Sequence, residues 1–311
     1  MNTTNACQRL CGRPLSTADT ITSTHSRQQG IALVVVLWLM VLLTVIAASH
    51  ARVVRTETRL ASNQVEAGKA RSMAEAGAHH AILELLVRDE AQRWPVNGSV
   101  NFIRYQDGDV AIAIRDASGL VDINRASASL LDTVLTGAGI EQSQRLSLVD
   151  AILDWRDKDD LKQINGAEDD DYRRAGMKWA ARDGAFSSVE EFRYVLGMTI
   201  ELFDRLAPYL TVHSNQADVK VEFAPPWLVS VLGDTQETST PRSPARRRAN
   251  TASTYHVTVL ATSEGGSNAS LEMVVRIAAT KDQPYTILSW RAQSRSFSPA
   301  TVRAAELMTT L

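Results

Sequence analysis

Cysteine is nearly missing from this chain of 311 residues: the two present, Cys7 and Cys11, both precede Gly30. Everything after that glycine is free of thiols, which excludes intrachain disulfides and thiol chemistry there. Excess charge is also missing. A formal net charge of −2 offers no general pull toward nucleic acid. The sequence has no Gly-x-Ser-x-Gly elbow, no Walker loop, no His pair with an evident third ligand and no cofactor fingerprint, so the enzyme classes carried by those motifs gain no support. Proline is absent from residues 52–90, where the only glycines are Gly68 and Gly77.

What the chain does have is a long apolar run. Residues 31–49 carry no charge, and ahead of them Arg9, Arg13 and Arg27 stand against one acid, Asp19. Spanning a bilayer as helix takes about 20 apolar residues, whereas a secretory h-region is about 7–15 long and ends at a small-residue site. The run predicts a transmembrane anchor, and the basic leader predicts a cytoplasmic N-terminus. A signal peptide cut near Ala51 is the alternative, giving a secreted soluble protein. Beyond the run, Ala70, Ala74, Gly77, Ala78, Ala81, Ile82 and Leu85 recur at helical spacing. Residues 31–90 together predict a rod of roughly 90 Å at 1.5 Å per residue, ended by Trp94-Pro95 and Asn97-Gly98. One face of its upper part is small enough for a second element to approach closely. His79 and His80 are adjacent and point about 100° apart on a helix, which favours structural or solvated roles.

A polar leader ending in Gly ahead of an apolar helix resembles the type IV prepilins. That resemblance implies cleavage after Gly30 by a prepilin peptidase, with Ile31 as the mature, methylated N-terminus. The family's fifth mature residue is usually Glu; here it is Val35. A missing fifth-position Glu is characteristic of the minor pseudopilin K family of type II secretion systems.

Alternating strand patterns appear at 110–115, 255–261, 271–278 and 285–291, with a hairpin-grade turn at 263–268. They predict an antiparallel sheet with the long helix across one face. The intervening stretch reads mostly helical. The fold class is therefore α+β: a long N-terminal transmembrane and amphipathic helix packed on a small antiparallel sheet, with a large inserted all-α domain. The boundaries are a leader at 1–30, an anchor at 31–49, helix and first strand at 50–115, the insert at 116–234, a Ser/Thr/Pro-rich and basic linker at 235–250, and final strands at 251–311.

Within the insert, helix, Gly turn and helix recur at 121–153 and 186–212, with a weaker echo at 219–228, consistent with internal duplication. These units resemble helix-hairpin-helix or SAM-like modules, whose turn amides can hold a DNA phosphate, and supply a second alternative: a membrane-anchored DNA receptor. Charge opposes it. Residues 116–213 contain 18 acidic against 11 basic side chains, and phosphate binding draws on Lys and Arg. Thr199 also stands where the second turn of such a module has Gly.

The densest chemistry is DWRDKDD at 154–160 and NGAEDDDY at 165–172: eight carboxylates in eighteen residues, with three bases interspersed. Hard oxygen ligands at this density suit Ca²⁺. An EF-hand register from Asp157 through Asp159 to Glu168 fails, because its sixth position is Lys162 instead of Gly. A solvated acidic loop and a non-EF cation site remain open on this segment alone. The stretch also resembles the corresponding part of pseudopilin K proteins, whose inserted helical domain binds paired Ca²⁺ ions. The resemblance implies ligands among Asp157, Asp159, Asp160, Glu168, Asp169 and Asp171, with Asp154, Asn165 and Asp170 as further contributors. It also implies a structural, non-enzymatic subunit at the tip of a periplasmic pseudopilus. Such a subunit is held in the inner membrane by one span, takes other minor pseudopilins, the prepilin peptidase and the secretion platform as partners, and supports pseudopilus initiation and protein export across the outer membrane.

Overall fold

The computed structural model describes residues 29–87, 89, 91–233, 253–278 and 283–292. The leader up to residue 28 and the 235–250 linker lie outside the described residues. Two compact units divide the chain, Met1–Arg59 and Leu60–Leu311. Helix α1 spans Gln29–Leu86 without a break, so it continues through the small-residue site near Ala51. In the first unit its apolar side chains are exposed, among them Ile31, Val35, Trp38 and Ile46. Among the described residues α1 is the one helix long and apolar enough to cross a membrane.

In the second unit α1 lies on a five-stranded sheet of order β1-β2-β5-β6-β7, antiparallel throughout. The strands are β1 (Asn97–Tyr105), β2 (Gly108–Asp116), β5 (Ser253–Ser263), β6 (Asn268–Ile277) and β7 (Tyr285–Ala292). Period-two alternation turns Val110, Ile112, Ile114, Val257, Val259, Leu271, Met273 and Val275 to one face. Against them α1 packs Met73, Ala74, Ala78, Ala81, Ile82 and Leu85. The small stripe is needed for closeness: a Cβ on Gly77 would come within 2.8 Å of Val110 Cγ1 and 2.9 Å of Val259 Cγ1.

Strand β1 was not expected from the sequence. It is an edge strand with no fully buried residue, so its alternation is shallow, and it begins at the Asn97-Gly98 pair that reads as a turn. Gly98 has φ +87°, which keeps the turn-like backbone inside the strand.

Between β2 and β5 lies the insert: β3 (Val121–Asp122), α2 (Ala128–Gly137), α3 (Gln142–Arg156), α4 (Asp169–Arg174), α5 (Ile200–Leu206), β4 (Leu210–Thr211) and α6 (Pro226–Leu232). Short helices alternate there with loops, and the two-residue strands β3 and β4 pair in parallel across the insert, so the all-α expectation is not met in full. The stretch Val189–Tyr194, expected as a helix, is a 3-10 helix. Ser127 caps α2 through Leu130 N–H, and Thr199 caps α5 through Leu202 N–H, each at 3.2 Å. Thr199 thus starts the helix at the point where the hairpin grammar led to Gly. The insert has its own aromatic-rich core, with Trp155, Tyr172, Phe186, Phe192 and Phe203 packed among Leu135, Leu148, Ile152 and Leu206. Its two ends are clasped at the root: Lys220 N–H donates to Ser118 O and Arg115 Nη1 to Phe223 O, both at 2.8 Å.

Candidate metal centre

Helix α3 carries the acidic stretch from the core to the surface. Asp154, one turn before its end, is fully buried. Its carboxylate accepts N–H groups from Gln163 (3.1 Å) and Ala167 (2.8 Å), folding the 158–167 loop back over the helix end. Gly166 is required there, since a Cβ would lie 1.8 Å from Asp154 Oδ2. Asp157 is the C-cap of α3. Glu168 is the N-cap of α4, and its own N–H donates to Asp171 Oδ2 at 3.1 Å. The loop thus brings the end of one helix and the start of the next, both bearing acids, to the same place.

Two groups result. Asp154, Asp157, Asp159, Asp160, Glu168 and Asp169 belong to one electrostatically coupled cluster, joined by Asp183. Burial, reinforced by Asp154, Asp157, Asp183 and Asp160, pushes Glu168 up to about 7. Burial also raises Asp157, with Asp159 and Asp183 adding to it. Asp154 is raised by burial against the opposing Gln163 and Ala167 amides. The second group turns to bases. Asp171 is desolvated yet held below the usual carboxylate range by Lys162 and the Glu168 amide; it also meets Arg174 at 2.6 Å. Asp170 pairs with Arg173. Asn165 donates through its backbone and side chain to Asp150 Oδ2, at 3.0 and 3.1 Å.

Asp150 and Asp183 were not singled out in the sequence. Asp183 precedes Gly184 and has φ +54°, a turn signal that could have marked it as a chain reversal toward the acids.

The fit to a cation rests on two atoms. Asp157 Oδ1 and Glu168 Oε1 are buried without a hydrogen-bond partner. A buried carboxylate oxygen left unmet is costly, and an oxygen-seeking cation would satisfy both while relieving the repulsion that raises their pKa values. The side chains are not gathered into a closed cage: among the described residues no group of three or more His, Cys, Asp or Glu is arranged to hold a metal ion. His79 sits near Trp290, with ring centroids 5.7 Å apart, whereas His80 neighbours Trp94 and Glu84.

Three amides of the Gly turn between α2 and α3 are already engaged within the protein. Ala138 N–H is bonded to Val134 O, Gly139 N–H to Thr136 O and Ile140 N–H to Leu135 O, while Arg205 caps Ala138 O at 2.7 Å.

Residues 110–215, which hold β2 and most of the insert, match the family described as type II secretion system (T2SS), protein K; residues 29–78 match the PilX N-terminal family. Type II secretion system protein K of Klebsiella pneumoniae is 27% identical over 214 residues, which are 62% of this chain and 65% of that protein. The protein of the same name from Aeromonas hydrophila is 28% identical over 212 residues, 59% of this chain and 63% of that one. The chain thus spans a little under two thirds of the length of these relatives. A chain of the crystal structure of the GspK-GspI-GspJ complex from enterotoxigenic Escherichia coli shares the fold, with a TM-score of 0.50 and 14% identity, covering 77% of this chain and 99% of that one. The chain is thus similar to type II secretion system protein K across β2 and most of the helical insert, and it shares its α+β frame with the solved chain.

Proposed function

We propose that this chain is a structural subunit at the tip of a type II secretion pseudopilus, supporting its initiation and the export of proteins across the outer membrane. The observation that carries the reading is the helical insert, mounted between β2 and β5 of an otherwise pilin-like helix-on-sheet frame. A bulky domain at that position would obstruct stacking of a further subunit above it. Val35 supports the same reading. In a bundle of such helices, a carboxylate at the fifth mature position would neutralise a neighbour's N-terminal ammonium inside the membrane, where unpaired charge is costly. An apolar Val35 suits a subunit that terminates the series.

In this reading a prepilin peptidase cuts after Gly30, Ile31 becomes the methylated N-terminus, and α1 holds the protein in the inner membrane with the sheet and insert in the periplasm. Other minor pseudopilins bind beside it; the solved structure of similar fold is of a three-protein complex, which supports such an assembly. Ca²⁺ is held in the insert by Asp157 and Glu168, with Asp159, Asp160, Asp169 and Asp171 around them and Asp154, Asn165 and Asp170 in support. The ion would supply charge neutralisation and fix the loop between α3 and α4. The helix–Gly turn–helix pattern of α2 and α3 supports a helix-hairpin-helix ancestry used as scaffold.

The test is the intact mass and N-terminal sequence of membrane-extracted protein, made with and without a prepilin peptidase, followed by co-purification with the system's other minor pseudopilins. A peptidase-dependent product beginning at Ile31 that carries those subunits with it is expected. Cleavage near Ala51, or a correctly cut product that binds none of them, would overturn the reading.

A further inference from the structure

Two histidines meet across the groove between the insert and the sheet face opposite α1. His256 comes from β5 and His213 from just beyond β4, with ring centroids 6.4 Å apart. Thr211 joins them: its hydroxyl accepts His213 N–H at 3.1 Å and lies 3.0 Å from His256 Nε2. The hydroxyl can donate to Nε2 only when that nitrogen is unprotonated, so this direction of the bond belongs to a neutral His256, whereas a protonated ring can only donate.

The surroundings are cationic. Arg115 on β2 is the register partner of His256, and β6 places Val274 opposite it, flanked by Glu272 and Arg276. From β7 comes Arg291, already bonded to Glu190 of the insert. The insert's Asp122 faces His213 but is occupied by the N–H groups of Asn124 and Asn215 and by the Ser214 hydroxyl. Burial, then His213, Arg115 and Arg291, pushes His256 down to about 3. His213 is lowered by burial, then by Arg276 and Arg291, against Asp122.

The insert is otherwise lightly held. A groove of about 1280 Å³ lies between it and the sheet, and the two buried clusters are distinct, with Phe223 at the root the insert residue packed against the sheet's cluster. The root clasp at Ser118, Lys220, Arg115 and Phe223 provides a fixed pivot.

We propose that the facing His213–His256 pair makes docking of the insert on the sheet acid-sensitive, the neutral rings holding the two together and protonation releasing the insert about its root. Both histidines are harder to protonate when docked. Docking is therefore fully favoured above the ordinary histidine value of about 6.5 and weakens as pH falls below it, by up to about tenfold in the docked-to-open ratio per pH unit through His256, with His213 adding in the same direction.

The test uses the full chain in nanodiscs, with Cys7→Ser and Cys11→Ser removing the native thiols and spin labels on Ser143→Cys in the insert and Thr286→Cys on β7, both exposed positions. Electron–electron distance measurements at pH 7.5 and 5.0 should give one narrow distance that is lost on acidification. His213→Gln with His256→Gln should keep the narrow distance at both. An unchanged wild-type distance at pH 5.0, or equal opening in wild type and double variant, would overturn the proposal. If the double variant is already open at pH 7.5, His213→Gln alone decides: a shallower pH response than wild type supports the pair, and an identical one rejects it.

Discussion

The two cores of this chain are built differently. Under α1 the buried residues are aliphatic and small, arranged by two simple periods, and among the described residues Tyr255 is the one buried aromatic there. In the insert, short helices and loops gather around five buried aromatics. Its connections are fixed by side chains bonded to backbone: Arg156 donates to Ile123 O and Ala126 O, Asn124 exchanges bonds with Phe186, Asp154 gathers Gln163 and Ala167, and Tyr172 Oη accepts Leu196 N–H. Regular layers stabilise one half through apolar contact, while the other spends polar side chains to fix loops that have no ladder.

The largest test of that contrast is Phe192→Ala. A loss of about 3–5 kcal/mol is expected, confined to the insert, with hydrogen exchange on β5 and β6 unchanged; a matching loss in the sheet would merge the two cores into one. Asp154→Ala should follow, since it strands the amides of Gln163 and Ala167 at about 1–3 kcal/mol each, and limited proteolysis should then cut within 158–167. In the other half, Gly77→Ala drives a methyl against Val110 and Val259 and should cost about 1–3 kcal/mol, read as a lower Tm of the sheet with the insert unaffected.

A smaller effect comes from pH. The Glu168 carboxyl is raised in the folded insert to about 7, so its contribution is present below the ordinary carboxylate value and lost as pH rises through about 7. In chelator the insert should therefore melt lower at pH 8 than at pH 6, and added Ca²⁺ should flatten the dependence. Equal curves with and without Ca²⁺ would remove the ion from the acidic cluster. The smallest expected effect is Val35→Glu, which should give no gain in secretion. A clear gain would count against a terminal position for this subunit.

Regular elements were legible in the sequence because their signals are local. The stripe from Ala70 to Leu85 and the alternation in β2, β5, β6 and β7 each follow from one period, and the 263–268 turn from its Gly pair. Strand β1 escaped because an edge strand need not alternate deeply. Strands β3 and β4 escaped because two residues carry no period and their partners are far apart in the chain. At the acidic site, density was visible but direction was not. Nothing in the run from Glu168 to Asp171 tells that Glu168 turns inward while Asp170 and Asp171 turn to arginines, because that depends on where α4 begins. The approach of Asp183 is likewise tertiary.

One small arrangement has a mechanical consequence. Glu66 on α1 accepts Gly265 N–H in the β5–β6 turn at 3.1 Å, and Lys69, bonded to Glu66, also reaches Asp107 in the β1–β2 turn at 3.5 Å. Along the chain these contacts precede the first buried residue of the helix, Ala70. A tug transmitted along α1 from its N-terminal part is therefore borne first by two hairpin tips, through polar contacts that can yield and re-form, before it loads the apolar seam. Glu66 and Lys69 would act as a strain relief, sparing the apolar seam from the first of the load.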